Sequence, residues 1–146
     1  MHAHLIPFPP GSEAAAPPAG SIATCRLDAA DGSGWLLALT DGEGAAFEVE
    51  YIDAHAHGAG STAAVVEFSG PRDAAQIAAD RRASRDRVGP AAMQVQGNLG
   101  ALVLRAEDGA GMTIYAAEPG SPTAQALALL ASWAATSESA PAASQR

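Results

Sequence analysis

Residues 63–133 constrain the chain more than any other stretch, because strand, helix, hairpin and helix signals follow one another there without a gap. The run 63–68 is apolar except for Glu67 and is closed by Ser69-Gly70-Pro71. A helical pattern extends from 72 to about 93, with Asp73 in its first turn, where a carboxylate suits the helix dipole. Two more apolar runs, 99–106 and 112–117, flank Glu107-Asp108-Gly109-Ala110-Gly111, a connector suited to a hairpin. A second helix is predicted over 122–135, with Ser121 as its cap and Pro122 as its first residue. Beyond Trp133 the apolar pattern stops.

That order is the order of a ferredoxin-like α+β unit without its fourth strand. The expected substitute is 47–53, where Phe47, Val49 and Tyr51 alternate with Glu48, Glu50 and Ile52, the carboxylates facing outward. This strand either closes the sheet in permuted order or crosses to the sheet of a second copy, because an incomplete sheet leaves an edge that invites pairing. Two further strand runs precede it, 22–27 and 35–40. A single domain over 21–135 follows, made of N-terminal strands (21–53) and a βαββα unit (63–135). Residues 1–20, rich in proline, alanine and glycine, read as a flexible arm, and 136–146 as a disordered tail. Leu5, Ile6 and Phe8 are the arm's apolar exceptions.

The chain carries 16 acidic and 8 basic residues, a net charge of −8, and each of the basic residues is an arginine. Nucleic-acid binding needs clustered positive charge, which this balance does not supply. Cys25 is the sole cysteine, so no disulfide forms within the chain, and a reducing compartment is expected. No apolar run approaches the ~18 residues of a membrane span. The N-terminus, with prolines at 7, 9 and 10, lacks the pattern of a signal peptide. These features predict a soluble cytoplasmic protein that engages neither nucleic acid nor membrane.

In the first helix Ala74, Ile77, Ala78, Arg81, Arg85 and Val88 share an arc of about 100°. Arg81 and Arg85 thus fall inside the apolar stripe, while Ala75, Ala79 and Ala83 offer an alternative packed face. Facing a closed pocket, either arginine could hold a carboxylate or enolate through a charge-assisted fork. Otherwise they reach the rim, or pair with Asp80 or Glu67. Arg82 and Asp86 stand one turn apart and can pair. A break is expected near Gly89-Pro90, with a short helical piece over 91–95.

Three stretches, Val65-Val66-Glu67-Phe68-Ser69-Gly70-Pro71, Ala79-Asp80-Arg81-Arg82-Ala83-Ser84-Arg85 and Gly97-Asn98-Leu99-Gly100-Ala101-Leu102-Val103-Leu104-Arg105, carry a resemblance. Over residues 63–135 the chain resembles small dimeric α+β-barrel proteins of actinobacteria in the antibiotic biosynthesis monooxygenase superfamily. The resemblance implies a ferredoxin-like dimeric α+β barrel, with the N-terminal strands replacing or supplementing the missing C-terminal strand. It also implies a homodimer with a pocket between sheet and helices that takes a small apolar or phenolic molecule. Some members of that superfamily oxidise aromatic polyketides without metal or flavin, so no cofactor is expected. The asparagine, tryptophan and histidine set of its haem-degrading branch has no match here.

Tyr115, which alternates with Thr113, and Asn98 are the phenol and amide that could orient a phenolic ligand beside Arg81 and Arg85; the structural alternatives are a core tyrosine and a turn asparagine. His55 and His57 repeat the spacing of a metal-binding strand, but the glutamate that a cupin needs soon after its second histidine is absent, the first being Glu67, and two solvated loop histidines are the simpler reading. The functional expectation is a binder of a small apolar or phenolic molecule whose reaction, if it is an enzyme, is cofactor-independent oxidation or rearrangement of an aromatic natural product. The alternative is a non-catalytic ligand-binding or dimeric assembly protein.

Overall fold

The computed structural model describes residues 1–54 and 62–117. Among them are the strands β1 (His2–Phe8), β2 (Ser21–Asp28), β3 (Gly34–Thr40), β4 (Phe47–Ala54), β5 (Thr62–Phe68), β6 (Asn98–Arg105) and β7 (Gly111–Ala117). A helical run between β5 and β6 consists of α1 (Ala74–Ala83), a π-helical turn (Ser84–Val88) and α2 (Gly89–Met93). The strands hydrogen-bond in the order β2-β3-β1-β4-β6-β7-β5, and every pair whose register is described is antiparallel. The class is α+β, as expected. The chain condenses into two compact units, Met1–Val49 and Glu50–Arg146, so β4 starts in one and ends in the other. The helix expected over 122–135, the tail 136–146, and His55 and His57 lie outside the described residues.

The first unit corrects the reading of 1–20 as an arm. β1 pairs with β3 along its whole length, from His2↔Thr40 to Phe8↔Gly34, and its Ala3 and Phe8 are buried. Pro7 hid this strand. The Ala29 N–H donates to Ser33 O at 2.8 Å, and alternation along the hairpin then turns the Pro7 nitrogen away from β3. On its other side β1 meets β4 at His2 and Ala3 only, so the missing donor breaks no ladder. With β1 as a third strand, residues 1–49 form a unit of their own.

In the second unit β7 lies between β5 and β6 and is antiparallel to both, so β5 and β6 run parallel and the helical run is their crossover. The register aligns three rows on one face of the sheet: Ala64, Tyr115 and Ala101; Val66, Thr113 and Val103; Phe68, Gly111 and Arg105. Asp73 caps α1 rather than lying inside it. Its side chain accepts from Gln76 N (2.8 Å), and Gln76 Oε1 accepts from Asp73 N (2.9 Å), a reciprocal capping box. The helical run does not break at Gly89-Pro90. It widens instead, the Gly89 N–H donating to Ser84 O five residues back, and Pro90 lies in the first turn of α2, where a missing N–H costs least.

The place of β4 also differs from expectation. The strand order β6-β7-β5 matches three strands of a ferredoxin-like unit, whose fourth would lie beside β5. β4 lies beside β6, at the other edge, and in the chain's own sheet. The alternation read for this strand fails at Glu50, which is buried rather than outward, while Ile52 is exposed. Arginine partners make that burial tolerable, as described below.

The two units repeat one pattern. β1, β2 and β3 have 7, 8 and 7 residues, as do β5, β6 and β7. In both, the eight-residue strand is bulged after its first residue, at Ser21/Ala23 and Asn98/Gly100. Both hairpins close through the same bonds, Ala29 N to Ser33 O and Ala106 N to Ala110 O, with Asp31 and Asp108 each accepting from the backbone two residues on. Gly32 (φ 85) and Gly109 (φ 87) occupy the same left-handed position. The residues Leu27, Ala29, Asp31, Gly32 and Gly34 recur as Leu104, Ala106, Asp108, Gly109 and Gly111.

Candidate functional site

The chemistry of the second unit gathers around Arg105, the last residue of β6. Its side chain is 3% exposed, and its guanidinium lies 4.7 Å above the Phe68 ring. That ring lies across Gly111, where any Cβ would meet it. Arg105 Nε and Nη2 both reach Glu50 Oε2, at 2.9 and 2.7 Å, while Nη1 donates to Asp80 Oδ2 (3.2 Å) and to Gly109 O (2.9 Å). Asp80, on α1, also pairs with Arg72 Nη1 at 2.9 Å, and Arg72 Nε donates to Ser69 O. One buried arginine therefore ties β4, α1 and the hairpin turn to β6. Glu50, 4% exposed, makes no hydrogen bond through Oε1, which lies 3.5 Å from Arg81 Nε. Burial pushes the Glu50 carboxyl above its ordinary range, against the hydrogen bond and charge of Arg105, which pull it down.

Of the expected site residues, Arg81 reaches this network from its edge, 45% exposed and paired with Glu50. Arg85 is not part of it. It forms an exposed fork with Asp86 at 2.7 and 3.2 Å, taking the carboxylate expected for Arg82. A groove of about 340 Å³ on the helical run is lined by Ala79, Arg82, Ala83, Asp86 and Arg87, and so includes neither Arg81 nor Arg85.

Tyr115 and Asn98 belong to a second, apolar cluster. Tyr115 is 1% exposed and packs with Ala92 and Ala101, flanked by Tyr51, Ala64, Val66, Met93 and Val95. Its hydroxyl makes no hydrogen bond, and burial, followed by the nearby Tyr51, pushes its pKa up to about 12. The Tyr51 ring lies against Gly89, whose missing Cβ makes room for it, and Tyr51 Oη donates to Asp53 Oδ2 at 3.3 Å. Burial, then the charge of Asp53 and its hydrogen bond, raise the Tyr51 pKa as well. Asn98 clasps the end of α2 to the start of β6: Nδ2 donates to Ala92 O (2.7 Å) and Oδ1 accepts from Gly100 N (3.1 Å) across the bulge.

Sequence reading singled out neither Arg105 nor Glu50. The available signal was a lone charge at the end of the apolar run 99–104, which a buried partner of opposite sign would explain. Among the described residues no three histidine, cysteine, aspartate or glutamate side chains gather as metal ligands. Nor is any described helix long and apolar enough to cross a membrane. Comparison with protein-family models, curated proteins and solved structures returned no match.

Proposed function

We propose that the chain is a non-catalytic assembly module, a cytoplasmic homodimer whose second unit is a ferredoxin-like scaffold. One observation carries this reading. The charged groups that could act on a ligand are engaged with one another: Glu50 and Asp80 with Arg105, Asp80 with Arg72, Glu50 with Arg81. Such a network fixes the crossover helix on the sheet and, among the described residues, leaves no acid, base and electrophile converging on a common point. Arg81→Met tests it. As part of the scaffold, Arg81 holds Glu50 in its charged form, so the variant should lose about 1–2 kcal/mol of stability and bind a simple anionic phenol such as 4-hydroxybenzoate no differently from the parent. Weakened binding with unchanged melting would overturn the reading.

A second reading has its own support. The unpartnered hydroxyl of Tyr115 is the kind of group that a phenolic ligand satisfies, in keeping with the resemblance to cofactor-independent monooxygenases. In it, Tyr115 orients the phenol and Arg81 steadies the anion formed from it. Isothermal titration with the same phenol on parent and Tyr115→Phe decides this reading: it requires binding that the variant loses.

A further inference from the structure

We infer that the outer edge of β2 is a self-pairing surface, at which two copies of this chain join their sheets strand to strand. The inference rests on the homodimer proposed above and supplies its interface. Among the described residues β2 ends the strand order, and Ile22, Ala23, Thr24, Cys25 and Arg26 are all exposed, Ile22 at 55%. An edge strand of this length with open backbone groups is a template for another strand. The repeat points the same way. The counterpart of β2 in the second unit is β6, alike in length, bulge and hairpin, and the equivalent edge of β6 already holds a strand, β4.

Charge selects a second copy as the occupant. Arg26 is the one arginine among residues 1–49, which carry six carboxylates, and it sits on this edge paired with Asp28 at 2.7 Å. The strand is thus close to neutral on an acidic chain, and another β2 meets it without net repulsion. The hairpin fixes the register. Since the Ala29 N–H faces β3, alternation directs the backbone groups of Thr24, Arg26 and Asp28 outward. Two antiparallel β2 strands can then pair on a two-fold axis with Thr24 opposite Arg26 of the second copy. A shift by one pair would set Arg26 against Arg26 and is disfavoured. In the favoured register Cys25 faces its own copy at a non-hydrogen-bonded position, where Cα atoms are about 4.5 Å apart, within disulfide reach.

Sedimentation and oxidative cross-linking test the inference. The parent should show a concentration-dependent dimer that Thr24→Arg, which sets arginine against arginine, weakens at least tenfold and Thr24→Glu tightens; Thr24 is exposed, so neither change should disturb the fold. Diamide, which accepts the two hydrogens lost when two thiols join, should convert the dimer to a covalent species that Cys25→Ser cannot form. A dimer indifferent to both Thr24 variants and refractory to diamide would overturn the β2 interface while leaving the homodimer standing. A monomer at every concentration would overturn both.

Discussion

Phe8 in the first unit and Phe68 in the second hold the same place. Each ends a seven-residue strand, lies across a glycine that opens the strand paired with it (Gly34 of β3 or Gly111 of β7), and carries an arginine 4.7 Å above its ring. The two arginines live in different surroundings. Arg26 meets Asp28 in water, with half of each side chain exposed, whereas Arg105 is sealed between two carboxylates and a carbonyl. They also come from different positions on equivalent strands: counted through the bulge, Asp28 is the counterpart of Arg105 and Val103 that of Arg26. The backbone pattern is shared, and the buried charge is confined to the unit with a crossover helix to supply Asp80. Ring, glycine and turn suffice to build the hairpin; the ion network serves to hold a helix on it.

Substitution of the two arginines should separate those roles. Arg105→Met leaves Glu50 and Asp80 buried without their shared partner and should cost about 3–5 kcal/mol, read as a lowered urea midpoint. Arg26→Met removes a solvent-screened pair and should cost no more than about 1 kcal/mol. Comparable losses would erase the distinction. Next in size is Gly89→Ala. Helix propensity favours alanine by up to about 1 kcal/mol, but its Cβ would meet the Tyr51 ring and Ser84 O, and overpacking of that kind costs about 1–3 kcal/mol. Net destabilisation is expected, relieved by Tyr51→Ala in the same chain.

Alkaline pH should act on the second unit as well. Tyr115 has a folded pKa of about 12 against an ordinary 10.0, so the folded state keeps its proton where the unfolded chain has released it. Its stabilising effect is complete below pH 10 and fades as pH rises from 10 to about 12, a loss of up to about 2–3 kcal/mol. Tyr115→Phe should flatten that part of the stability profile and, with no hydrogen bond to lose, should melt within a few degrees of the parent at neutral pH. The smallest effect belongs to Arg85→Ala, whose exposed pair with Asp86 should leave the urea midpoint nearly unmoved.

The strands were legible wherever apolar runs met glycine-rich turns, and β3, β5, β6 and β7 fall within a residue or two of their expected bounds. β1 was not, because Pro7, Pro9 and Pro10 argue for an arm when the direction of each nitrogen is unknown. Helical periodicity places Arg81 and Arg85 on one stripe, but Arg85 lies inside the Ser84–Val88 π-helical turn, where the wider winding breaks the 100° step that the stripe assumes. Glu50 looked like the outward half of an alternating strand; its burial depends on Arg105, 55 residues away, and pairing at that range leaves no local pattern.

The pairing of Glu50 and Asp80 with Arg72 and Arg105 also decides what the rest of the molecule presents to its surroundings. Of 16 acidic and 8 basic residues, the quartet removes two of each, leaving 14 carboxylates against six arginines. The net charge stays at −8, so two copies repel at long range in dilute buffer even though the β2 edges that meet are themselves neutral. Dissolved salt shortens that repulsion to about 8 Å at physiological ionic strength. Association through backbone hydrogen bonds should therefore strengthen as salt is added, the reverse of an interface held by ion pairs.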